Sequence, residues 1–154
     1  MPKSDMLIEA AIEQLRTLLA FAPAEFRAIS EAESEERPAP GKWSRKQILG
    51  HLIDSAANNH QRFVRAQAEP QFVFLGYGQE FWVDTQQYQK ESWKNLLDLW
   101  TSFNTHLLHV IEQIPEERLR HQCSVGGAEP VTLEFLIADY VRHLEHHLRQ
   151  IFGK

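Results

Sequence analysis

The pattern that most restricts what this chain can fold into is a set of four stretches in which apolar residues recur every three to four positions. The first runs from about Ser4 to Ile29, with Leu7, Ala11, Leu15, Leu18 and Leu19 on one face. The second follows Ser44, a good N-cap, and continues to about Gln67. Ile48, Leu52, Ala56, Phe63 and Ala66 share its inward side, with Asn59 as a polar interruption. The third spans about Lys90 to Ile114 on Trp93, Leu96, Leu97, Trp100, Phe103, Leu107 and Ile111, and Pro115 closes it. Thr132 opens a fourth that reaches about Phe152, where Gly153 ends it. Four such helices predict an all-α four-helix bundle, in a single domain covering residues 1–154.

The connections differ in kind. Pro23 should kink the first helix or split off its last turn. SEAESEERPAPGK reads as an exposed acidic loop. The segment from Glu69 to Gln89 is long and carries Phe72, Phe74, Tyr77, Phe81 and Trp82, too apolar for a free linker, so it should pack across the bundle. PEERLRHQCSVGGAEPV reads as a polar connection holding the lone cysteine, Cys123, as a bystander without a disulfide partner.

The chain has 154 residues, 43% of them apolar and 24% charged, which suits a globular protein with a core of its own. A net charge of −5 supplies no electrostatic footprint for nucleic acid or an anionic membrane, and both are excluded as expected partners. The opening MPKSDMLIEA lacks a signal-peptide core, and no apolar run is long enough to span a membrane, so a cytoplasmic location is expected.

Eight histidines are many for this length, and their spacing separates them. His60, His106, His109 and His121 have no evident partner in the pattern. In RHLEHHLRQ, His143 and His147 stand four apart, one turn above each other on one helical face. That spacing presents two imidazoles to one ion. With His143 at the origin of a helical wheel, the apolar stripe falls at roughly 60 to 120°, His147 near about 40° and His146 near about −60°. His143 and His147 therefore border the core, while His146 faces outward. His51 in GHLID lies at the matching edge of the second helix, beside Ser55, Asn58 and Arg62. A solvated or satisfied histidine pair would show the same spacing, so a third donor is what separates a metal site from that plainer reading.

Axial position tests the trio. His51 lies about 10 Å along the second helix, and His147 about as far from the far end of the fourth. The three meet only if those helices are antiparallel, which makes the second and third parallel. The link between them must then cross roughly 35 Å, at least about ten extended residues. The aromatic Glu69–Gln89 segment is long enough. The expected arrangement is up-down-down-up, with a long crossover between helices two and three.

KWSRKQILGHLIDSAANNHQR and YVRHLEHHLRQIFG together resemble the two signature segments of the DinB/YfiT-like superfamily. In that family a tryptophan-serine start leads into a helix bearing the first histidine, and the last helix carries H-x-x-x-H followed by glutamine-isoleucine. The resemblance covers essentially the whole chain. It implies the up-down-down-up bundle, a nickel or zinc ion on His51, His143 and His147, and frequent homodimers. It also implies a metal-dependent enzyme, either a hydrolase or a thiol S-transferase acting on a small molecule such as a low-molecular-weight thiol.

An ion held by three protein donors keeps a coordination position open and would lower the pKa of a water or thiol bound there. Asp54, Asn58 and Tyr140 fall near the ligands, but none is marked as a general acid or base, and Glu145 falls on the far side of its helix. No catalytic residue is assigned. The competing reading is a non-catalytic metal-binding or dimeric interaction module. A di-iron carboxylate bundle would need paired E-x-x-H motifs, which are absent. A zincin would need glutamate where Leu144 follows His143.

Overall fold

A computed structural model describes residues 3–154, with side chains from Met6 onward. In chain order the elements are α1 (Lys3–Arg27), α2 (Glu31–Glu35), α3 (Arg45–Arg65), β1 (Gln71–Phe74), α4 (Gln79–Gln86), a 3-10 turn (Tyr88–Lys90), α5 (Trp93–Glu112), α6 (Glu116–Leu119), β2 (Gln122–Val125), β3 (Val131–Thr132) and α7 (Leu133–Phe152). The four expected helices are α1, α3, α5 and α7. The α1 helix runs through Pro23 without ending there.

Side-chain contacts fix the helix directions. Phe26 near the end of α1 meets Trp93 at the start of α5, and Arg16 reaches Glu112 at the far end of α5 at 2.8 Å, so these two are antiparallel. The ends of α1 and α7 coincide, with Phe26 and Phe152 rings 5.0 Å apart and Lys154 Nζ 3.0 Å from Glu25. The Arg45 guanidinium at the start of α3 donates to the Ile151 carbonyl near the end of α7 at 2.9 Å, making that pair antiparallel. Ser44 Oγ donates to Gln89 Oε1 at 2.7 Å, and His60 packs on Phe103 further along. Hence α3 and α5 start at one level and run in parallel. The bundle is up-down-down-up, and the Glu69–Gln89 segment is its crossover.

The α3 start is held by local chemistry and by one buried cation. Ser44 accepts from the Gln47 amide while the Gln47 side chain accepts from the Ser44 amide, a capping box that satisfies two orphan donors. Two residues on, the Lys46 side chain is only 1% exposed, its Nζ 2.5 Å from Glu31 and 2.9 Å from Glu35. Burial opposes that charge, but the two carboxylates outweigh it and hold Lys46 above its ordinary value. Glu31 also accepts from the Trp93 backbone amide at 2.9 Å, so one carboxylate links α2, α3 and α5. The acidic stretch expected as a free loop is thus partly helical. Ser30 caps α2 with Glu33, and α2 delivers both glutamates to Lys46.

The crossover is more structured than its aromatic content indicated. β1 pairs in parallel with β2, placing Phe72 opposite Cys123, and β2 pairs antiparallel with β3. These strands of two to four residues are too short to leave a readable alternation. Cys123 accordingly is not in an exposed polar loop. It is buried in β2, and burial pushes its thiol up to about 11, which makes it a poor nucleophile.

Further along the crossover, Tyr88 lies flat against α3. Its ring passes where a side chain on Gly50 would stand, with an added Cβ only 2.2 Å from Tyr88 Cδ2. Its hydroxyl donates to Asp54 Oδ1 at 2.6 Å. Alanine ordinarily favours a helix over glycine by about 1 kcal/mol. At Gly50 the sign should reverse, because the Tyr88 ring is buried and cannot yield without moving the crossover. Gly50→Ala is expected to destabilise by about 1–3 kcal/mol in urea unfolding, the usual cost of overpacking. A gain in stability would show that the crossover is not clamped there.

Candidate metal centre

Antiparallel packing of α3 on α7 brings the three sequence-selected histidines together. His51 is buried on α3; His143 and His147 are half-buried, one turn apart on α7. All three present Nε2 to a common point. His51 Nε2 lies 3.3 Å from His143 Nε2, which lies 3.0 Å from His147 Nε2. One ligand nitrogen from each ring falls within 4.8 Å of the other two.

The donor set fits a first-row divalent ion. Bonds of about 2.0–2.1 Å to one ion place neighbouring nitrogens roughly 3.0–3.4 Å apart, the spacing seen for two of the three pairs, His51–His143 and His143–His147. Imidazole-only donors suit zinc, nickel, copper or iron better than magnesium or calcium. The rings are also held in a competent protonation state. Burial, then the charges of His147 and His143, push His51 down to about 4. Burial likewise lowers His143 and His147. Neutral imidazole is the form that ligates.

Neighbouring groups orient two of the rings. His147 Nδ1 lies 2.7 Å from Gln150 Oε1, an acceptor that places the proton on Nδ1 and turns the Nε2 lone pair inward. The Trp43 ring covers His51 at 5.3 Å between centroids. His51 Nδ1 is buried and has no hydrogen-bond partner among the described residues. Gln150 belongs to the glutamine-isoleucine pair of the signature, which assigns it no role, although its i,i+3 spacing from His147 is a legible signal.

Several other sequence expectations resolve here. His146 is exposed, as its wheel position required. Glu145 turns away to Arg149, at 2.7 Å. Asp54 faces the crossover: Oδ1 accepts from Tyr88 and from Gln86 Nε2 at 2.7 Å, and Oδ2 is buried without a partner among the described residues. Burial raises its carboxyl above the ordinary range, against both hydrogen bonds. Asn58 donates to the Asp54 carbonyl at 2.9 Å, and Tyr140 is fully engaged with Asn104 in the core. The histidines set aside do have neighbours: His60 stacks edge-on with His106 at 5.3 Å, and His121 Nδ1 donates to the Ala66 carbonyl at 2.7 Å.

Two hollows adjoin the centre. One, of about 350 Å³, includes His143, Ser55, Asn59, Arg62, Tyr77 and Asp139. The other, of about 520 Å³, includes His147, Trp43, Ile48, Glu80 and Gln150. Tyr77, Glu80 and Asp139 have no role in the sequence pattern because they lie in the crossover or just outside the second histidine motif, while Arg62 is placed at the edge beside His51 without a role.

Comparison with known proteins places this geometry. The model of the DinB superfamily matches residues 10–151. No sequence among curated proteins matches the chain. Among solved structures, YfiT from Bacillus subtilis superposes with a TM-score of 0.76 at 19% identity, covering 97% of this chain and 84% of that one. It is described as a probable metal-dependent hydrolase with an unusual four-helix bundle topology. A mycothiol-dependent maleylpyruvate isomerase superposes with a TM-score of 0.75 at 13% identity over 94% of this chain. This chain spans 60% of that isomerase's length. At such identities the likeness is one of fold.

The lowered histidine values set the sign of a pH effect. In the unfolded chain these imidazoles take up protons below about pH 6.5, whereas in the fold they resist protonation. The unfolded state then binds more protons, and stability falls as pH drops from about 6.5 toward the folded values. An ordinary histidine pKa would have placed proton competition for the metal near about 6.5; burial moves it lower. Chelator-treated protein should show a lower urea midpoint at about pH 5 than at about pH 7.5. His51→Leu should flatten that difference. An equally steep dependence in the variant would mean that other groups control it.

Proposed function

The chain belongs to the DinB superfamily, and on that premise we propose that it is a metal-dependent enzyme, a hydrolase or thiol S-transferase, with nickel or zinc held by His51, His143 and His147. The observation that carries this reading is the convergence of three Nε2 atoms at 3.0 and 3.3 Å. With three neutral rings, the single proton or lone pair of His143 Nε2 has to serve both neighbours at once, which is a weak, shared arrangement. A shared cation satisfies them together. When bound, such an ion would bring the pKa of a water or thiol coordinated at the remaining position toward neutrality.

The chain's own residues supply the setting. Gln150 retains the proton on His147 Nδ1, and Trp43 shields His51 from solvent. No carboxylate hydrogen-bonds a ligand imidazole among the described residues, so the donor set carries no negative charge. That leaves the full charge of the ion to act on whatever occupies the open position, which favours activation of a thiol or water over simple storage. The hollows beside His143 and His147 give a small molecule access from two sides.

Metal analysis of untagged protein tests the ligand set. His51→Ala, His143→Ala and His147→Ala should each sharply reduce bound nickel or zinc, while His146→Ala, adjacent and chemically identical, should retain it. Gln150→Ala should weaken binding by about tenfold, the lower end for loss of such an orienting partner, because Gln150 is exposed. Equal retention by all the histidine variants would remove the metal site. Full occupancy without turnover on ester and thiol-transfer substrates would instead favour a non-catalytic metal-binding module.

A further inference from the structure

Arg62 is the one feature of the larger site that neither the bundle nor the imidazole cluster explains. It sits three turns after His51 on the same edge of α3, half-buried, and lines the hollow that also contains His143. Its side chain makes no ion pair and no hydrogen bond among the described residues. Its guanidinium stands over the Tyr77 ring, 5.9 Å from guanidinium carbon to centroid. Burial pulls it below its ordinary value, and only Tyr77 opposes that shift; no carboxylate compensates. Asp139 lines the same hollow but is engaged by Arg142 at 3.0 Å. A guanidinium withdrawn from water without an anion is costly to maintain for packing alone.

We infer that Arg62 recognises the carboxylate of a small substrate whose opposite, reacting end lies against His143. This rests on the metal-centre reading and adds the substrate class to it. The guanidinium fork matches a carboxylate in two parallel hydrogen bonds, a geometry lysine lacks. Eleven residues separate His51 and Arg62, about 16 Å along the helix axis. Helical side chains lean toward the N-terminus, so the guanidinium reaches back and lies on the order of 10 Å from the imidazoles. That distance suits a chain of about six carbons between the anion and the reacting atom. Neutral Ser55 and Asn59 line the interval on α3.

Zinc-loaded protein titrated calorimetrically with mercaptohexanoate and with mercaptohexanol tests this, since the two thiols differ only in the terminal anion. The acid should bind about tenfold tighter than the alcohol, as expected for a charge-assisted bidentate pair. Arg62→Gln should bring the acid to the level of the alcohol while leaving zinc content and alcohol affinity intact, and Arg62→Lys should restore only part of the preference. Equal binding of both thiols by the parent protein, or an acid preference that survives Arg62→Gln, overturns the assignment without touching the metal centre. If neither thiol binds zinc-loaded protein, the thiol reading of the centre fails. Arg62 is then judged by its own Nε–H resonance during titration with hexanoate: a saturable shift upholds the assignment, and a static resonance overturns it.

Discussion

The direction of α3 relative to α7 is the constraint on which the rest of the structure depends. Imidazoles on two helices can share a point only where their heights coincide, and His51 lies in the first half of α3 while His143 lies midway along α7 and His147 in its second half. Antiparallel packing aligns them; parallel packing would offset His147 from His51 by roughly 12 Å along the bundle. Once α3 opposes α7, the directions of α1 and α5 follow from their own end contacts, and α3 must run beside α5 in parallel. The chain then has to travel the length of the bundle between them. The buried Lys46, with Glu31, Glu35 and Gln89 around it, marks where that journey ends, because it ties the start of α3 to the approach to α5. The crossover and the histidine cluster are thus two consequences of one arrangement.

Much of this was legible in the sequence because it depends on periodicity and length. The i,i+4 pair His143 and His147, the edge position of His51 and the apolar length of Glu69–Gln89 each carry their meaning locally. What escaped depends on contacts between distant segments. The sheet joins four-residue strands from two connections, and neither strand is long enough to announce itself. α2 looked like a loop because its reason for existing, Lys46, lies on another helix. His60 and His106 meet only because α3 and α5 are parallel. Cys123 reads as part of a polar connection because its neighbours in sequence are polar, whereas across the sheet it faces Phe72 and Val131.

The chemistry around the cluster is asymmetric. On the α7 side the polar partner of the ring is a neutral amide, and on the α3 side it is the face of an indole. Acidic groups occur nearby, yet each is engaged elsewhere or stands off in a hollow. Asp54 is the clearest instance: its position one turn from His51 suggests a proton-transfer role, but its bonded oxygen serves Tyr88 and Gln86 and anchors the crossover. The same residue therefore contributes to the site by positioning the wall of the hollow.

The long separation of the ligands in sequence has a temporal side. His51 and His143 are 92 residues apart, and the crossover and α5 are synthesised before α7. During vectorial synthesis the nascent chain presents only one imidazole of the trio for that interval. Both remaining donors arrive within one helical turn of each other. On the proposed metal reading, ion uptake would await the docking of the last helix, because only then do all three imidazoles face one point.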